Sequence, residues 1–150
     1  MKIPASITIK TDKYIDDPVE GSNRNEVHES TVSGFIQTKK DGITIEYTEE
    51  ESEGGDVTTS VSLIGSDLVM LRRGNDSGMF FEQGKTHNCV FNNGLFPMEL
   101  RVRTKELTNT IGVTGGKLTL DYTIDIIGNR AEKSKLVLSV KPQPQSNHIS

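Results

Sequence analysis

The chain has one cysteine, no tryptophan and only 5 % aromatic residues, and its apolar residues almost never recur at spacing three or four. Each shortage excludes something. A lone Cys89 forbids an internal disulfide, so stability must come from a core. At 150 residues the chain is long enough for one domain that buries roughly 68–70 % of the surface exposed when unfolded. Few rings leave little on which single-stranded bases could stack. A net charge of −4 lacks the broad positive field that nucleic acid requires. No apolar run approaches the ~20 residues needed to cross a bilayer, and Met1-Lys2-Ile3-Pro4 lacks the apolar segment of a secretory signal. The expectation is a cytoplasmic protein whose partners include neither nucleic acid nor membrane.

What the sequence does have is alternation. In Pro97 to Thr104, Met98, Leu100 and Val102 share one strand face while Glu99, Arg101 and Arg103 share the other. In Lys117 to Ile127, Leu118, Leu120, Tyr122, Ile124 and Ile126 oppose Thr119, Asp121, Thr123 and Asp125. The same reading predicts strands at Ile3–Lys13, Val27–Lys39, Ile43–Thr48, Val57–Ile64, Leu68–Arg73, Met79–Glu82, His87–Phe91 and Ser134–Val140, separated by turn residues such as Asp41-Gly42, Gly54-Gly55 and Gly128-Asn129. Leu68–Arg73 is apolar on both faces, as a central strand is. Gly34 marks a bulge or a sharp bend, and the polar stretch Asp16 to Glu26 reads as a long loop. About eight to ten strands with frequent turns predict an all-β fold, and a single antiparallel, mostly up-and-down barrel is favoured over a sandwich because closure removes long free edges. The barrel spans residues 1–141, and 142–150 form a disordered tail.

The tempting chemistries fail on spacing. Gly84-Lys85-Thr86 resembles the end of a phosphate-binding loop, but five residues separate Gly78 from Gly84 where that loop has four, and a strand follows in place of a helix. His28, His87 and His148 show no metal-ligand spacing, and the acidic run Glu49 to Asp56 lacks the alternating ligands of a calcium loop. No catalytic residue, metal or cofactor is assigned. Arg72-Arg73 stands out, since alternation must turn one of the two inward. An inward guanidinium needs a carboxylate or a ligand, because burying an unpaired charge is costly. Glu46 and Glu82 are the candidate carboxylates.

The order Gly42-Ile43-Thr44-Ile45-Glu46-Tyr47-Thr48-Glu49-Glu50, Leu68-Val69-Met70-Leu71-Arg72-Arg73-Gly74, Met79-Phe80-Phe81-Glu82-Gln83-Gly84, Leu95-Phe96-Pro97-Met98 with Thr104, and Gly116-Lys117-Leu118-Thr119-Leu120-Asp121-Tyr122 resembles the YwiB-like family of small bacterial proteins. The resemblance covers nearly the whole chain. It implies a calycin-like barrel, of the lipocalin and fatty-acid-binding kind, and carries over no catalytic residue. The stretch Asp16 to Asn25 reads as longer than the family's pattern.

The function expected first is a non-enzymatic binding module for a small, partly apolar or amphipathic ligand, with Arg72 or Arg73, Tyr47 or Tyr122, and the carboxylates Glu46 and Glu82 at its polar end. The alternative is a packed barrel that serves as a protein-interaction or homodimerisation module. An enzyme comes third, requiring His87, Glu82 and Arg72 or Arg73 to converge in one cleft.

Overall fold

In a computed structural model of the chain, which describes residues 2–17, 22–40, 42–51, 55–65, 67–74, 77–92, 97–126 and 130–143, ten strands follow one another. They are β1 (Lys2–Asp17), β2 (Ser22–Lys39), β3 (Gly42–Glu51), β4 (Gly55–Ile64), β5 (Leu68–Arg73), β6 (Ser77–Glu82), β7 (Thr86–Asn92), β8 (Pro97–Asn109), β9 (Gly116–Ile126) and β10 (Arg130–Pro142). Among the described residues no helix is long and apolar enough to cross a membrane.

The strands form one sheet in the order β6-β5-β4-β3-β2-β1-β10-β9-β8-β7, with every ladder antiparallel. Sequence neighbours lie side by side and β1 pairs with β10, so the order is an up-and-down ring interrupted once, between β6 and β7. That nearly closed barrel is the predicted fold. At the seam side chains replace the ladder: the Phe80 N–H donates to Cys89 Sγ at 3.5 Å, and His87 Nε2 lies 2.9 Å from Glu82 Oε1. The β6–β7 turn is clipped to β8, since Gly84 N–H donates to the Thr104 carbonyl at 2.9 Å, Thr104 N–H to the Lys85 carbonyl at 3.1 Å, and Leu107 N–H to Gln83 Oε1 at 3.2 Å. Gly84-Lys85 is thus a hairpin turn, as its failed phosphate-loop spacing requires.

Alternation sends one residue in two inward. Ile7, Ile36, Ile45, Val69, Phe81, Val102, Leu118 and Leu138, each at most 1 % exposed, belong to one continuous cluster. Phe81 meets Tyr122 edge-on, with ring centroids 4.8 Å apart, so side chains fill the lumen at that level. Burying residues of this size contributes about 1.5–3 kcal/mol each, which is where a chain without disulfides finds its stability.

Several expectations need correction. Asp16 to Glu26 is not a long loop: β1 continues to Asp17, β2 begins at Ser22, and Asp16 pairs with Asn23 and Asp17 with Ser22, leaving only residues 18–21, which lie outside the described residues. The paired residues are polar at both parities, so periodicity carried no signal there. Gly34 causes no register shift; it is a point of close approach, where an added Cβ would lie 2.2 Å from the Glu46 carbonyl oxygen and 2.5 Å from Ile7 Cδ1. The bulge falls instead in β8, where pairing passes from Thr104–Tyr122 to Glu106–Asp121 and the inward phase shifts to Leu107. β5 is paired on both edges, as its composition suggests. β10 runs through Pro142, and Gln143 N–H bonds the Pro4 carbonyl at 2.9 Å; residues 144–150 of the expected tail lie outside the described residues. The Asp41 of the predicted Asp-Gly turn does too.

Candidate functional site

The barrel register assigns the paired arginines. Arg73 is opposite Thr59, which is opposite Tyr47, and Tyr47 and Thr59 are buried, at 7 % and 3 % exposure. Arg73 is therefore the inward arginine, half-buried, whereas Arg72 is exposed. Burial pushes the Tyr47 phenol above its ordinary range and the Glu49 charge adds to this, while the Thr59 hydroxyl and the Arg73 charge oppose it. These four groups form one inward polar station.

A second station lies on the opposite strands. Thr104 of β8, Tyr122 of β9 and Ser134 of β10 occupy one row across the ladders, all buried, with Glu132 buried one inward step along β10. Desolvation pushes the Tyr122 phenol up to about 12, with the Glu132 charge adding to the rise. The Ser134 hydroxyl offsets part of it but falls outside hydrogen-bond geometry, and Ser134 Oγ and Thr104 Oγ1 are buried without a hydrogen-bond partner. A buried, unsatisfied hydroxyl costs about 1–3 kcal/mol, so two of them beside one phenol are an unfilled demand for hydrogen bonds.

The remaining predicted residues lie elsewhere. Glu46 pairs with Ser60, and Ser60 with Arg72; this row faces outward, so Glu46 is not the partner of the inward arginine. Glu82 is opposite Leu68, while Arg73 is opposite Ser77. Five residues of strand, roughly 17 Å at the usual rise, separate Glu82 from the arginine. Glu82 instead meets Lys85 Nζ and His87 Nε2, each at 2.9 Å, and those two hydrogen bonds hold its carboxyl below the usual range. His87 and Glu82 thus converge without either arginine, so the His87, Glu82 and arginine cleft expected for an enzyme does not form. Tyr47 and Tyr122 belong to separate stations. A shallow depression of about 170 Å³ on β7 and β8, lined by Asn88, Cys89, Val90, Glu99, Leu100 and Arg101, contains none of the predicted residues and is below the roughly 300–1,000 Å³ of small-molecule sites.

Thr104, Ser134, Glu132 and Thr59 were not singled out from the sequence, although the signal was present. Thr104 continues the phase of Leu100 and Val102, and Glu132 and Ser134 precede Leu136, Leu138 and Val140 in the same phase. Polar residues on an apolar phase are the mark of an interior polar row.

Comparison with known proteins agrees with the fold. The family model described as a domain of unknown function, DUF1934, matches residues 7–138. The crystal structure of the ywiB protein from Bacillus subtilis superposes with a TM-score of 0.79 at 18 % identity, covering 95 % of this chain and 93 % of that one. Among curated proteins none matches.

Proposed function

Since the chain belongs to the DUF1934 family, a domain of unknown function, we propose from its own barrel that it is a non-enzymatic binding protein for a small, partly apolar molecule whose polar end bonds the Thr104, Tyr122 and Ser134 row. The observation that carries this reading is the pair of buried hydroxyls without partners. Tyr122, with its phenol pushed up to about 12, remains an O–H donor at neutral pH. Thr104 and Ser134 can donate or accept. Together they suit an alcohol, amide or carboxyl head group, with the tail against the neighbouring Leu118, Leu120 and Leu138. Arg73 and Tyr47 form the inward station suited to an acidic end of a longer ligand. The up-and-down strand order supports a calycin-like relationship by analogy of architecture.

One observation favours the rival, a packed barrel that acts through its surface: Phe81 and Tyr122 touch across the lumen. Native mass spectrometry distinguishes the two. The ligand reading expects an adduct on the 16.5 kDa chain that organic extraction removes and that the Thr104→Val/Ser134→Ala variant lacks. A wild-type chain that is never loaded, including after incubation with long-chain acids, alcohols and amides, favours the packed barrel. An adduct retained equally by the double variant refutes the row as its site.

A further inference from the structure

β2 is paired with β1 from Ser22 to Gln37, but β3 takes up its other edge only from Gly34 to Lys39. From Ser22 to Ser33 that edge has no ladder among the described residues, which leaves a row of backbone donors and acceptors, a template for another strand. The stretch carries the charged residues Arg24, Glu26 and Glu29, but other protections common on such edges are missing. The stretch contains no proline and no lysine, its pairing with β1 shows no bulge, and Val27 at its middle is 61 % exposed.

We propose that this edge is where a second copy of the chain adds, antiparallel about a two-fold axis at Val27, so that one sheet runs through two barrels. Charge selects both occupant and register. With inward faces matched in both copies, pairing about Val27 places Glu26 opposite His28 of the second copy, twice by symmetry, and Glu29 opposite Asn25. Pairing about His28 sets two imidazoles face to face and Glu29 against Val27. Pairing about Glu29 sets two carboxylates opposite one another, which is destabilising. Of these three registers, only the first joins acid to base and apolar to apolar. It spans Ser22 to Val32, all of it strand backbone. The chain's negative charge, −4, resists unspecific self-association, and this register removes that repulsion locally. The pairing requires nothing in the lumen, so it stands apart from the ligand reading.

Sedimentation velocity on the whole protein over about 1–500 µM tests it, together with oxidative cross-linking of single cysteines. The mass is expected to rise from 16.5 kDa toward twice that value, and Val27→Lys, a change at an exposed position, is expected to keep it at the monomer value throughout. Val90→Lys, at a 51 % exposed position on β7, should leave the rise intact. Val27→Cys should cross-link to a dimer at least tenfold faster than Thr31→Cys, since only residue 27 faces its own copy; buried Cys89 supplies little background. Monomer at every concentration, a dimer abolished by Val90→Lys and retained in Val27→Lys, or equal cross-linking at 27 and 31 would each overturn the proposal. So would an edge that captures only unrelated extended peptides.

Discussion

Gly34→Ala tests how tightly β2 must press on β3 for the barrel to close. The added Cβ would lie 2.2 Å from the Glu46 carbonyl oxygen, 2.5 Å from Ile7 Cδ1 and 3.0 Å from Tyr47 Cβ. A carbon rests against a carbonyl oxygen at about 3.3–3.6 Å, so a shift of about 1 Å is required, and the first obstacle is backbone. The Gly34–Tyr47 pair opens the β2–β3 ladder, so the shift strains that pair and displaces Ile7 and Tyr47 in the core. Overpacking of this kind costs about 1–3 kcal/mol, against which alanine recovers about 0.4–1 kcal/mol through the unfolded state. A net loss of about 1–1.5 kcal/mol lowers Tm by roughly 2–6 °C in a domain of this size. Thermal and urea unfolding followed by circular dichroism measure it. Gly78→Ala is the control: its φ is not positive, and the new Cβ meets only the Leu71 carbonyl oxygen at 3.9 Å, so its stability should stay within about 0.5 kcal/mol of the parent. If the two variants unfold alike, the close approach at Gly34 is not a constraint and the reasoning fails.

Thr104→Val keeps the shape and removes an unpartnered hydroxyl; the unliganded protein should gain about 1 kcal/mol in urea unfolding, and a loss of that size would show the hydroxyl already satisfied. Phe81→Ala deletes a ring that is 1 % exposed and packed on Tyr122, so a loss of about 3–5 kcal/mol is expected; less than 1 kcal/mol would mean the lumen is not filled there. Tyr122 ionises at about 12 when folded against an ordinary 10.0. The unfolded chain therefore gives up this proton first. The group's contribution is complete below pH 10, declines between pH 10 and 12, and amounts to about 3 kcal/mol. Tyr47 shifts in the same direction, so Tyr122→Phe should reduce the alkaline slope of urea stability without abolishing it. An unchanged slope would contradict the burial of that phenol.

Much of this was legible in the residues because burial on one face of a strand leaves a period of two. All ten strands appeared in the order they take, and Lys117–Ile127 read almost to its ends. The failures share a cause. Asp16 to Glu26 is strand on either side of residues 18–21, which lie outside the described residues, but the residues flanking them are polar at both parities, and a stretch so poor in apolar residues writes no alternation. The β8 bulge was invisible because Thr104 and Leu107 each fit an apolar phase, and only the partner strand shows that the phase changes. Alternation marked Arg72-Arg73 as a pair of which one turns inward, but it could not say which carboxylates adjoin that one: Glu46 lies in the outward row and Glu82 at the far end of β6, since partners depend on which strands adjoin and in what register.

The sequence by itself determined the strand content, the apolar face of each strand and the absence of a disulfide, because these follow from local alternation and composition. Tertiary structure alone decided where the ring is interrupted, which arginine turns inward, and that Thr104, Tyr122 and Ser134 share a row. Those depend on register between strands distant in sequence. A shift of one residue would reverse every face, and burial of the whole core selects the register that no single strand specifies.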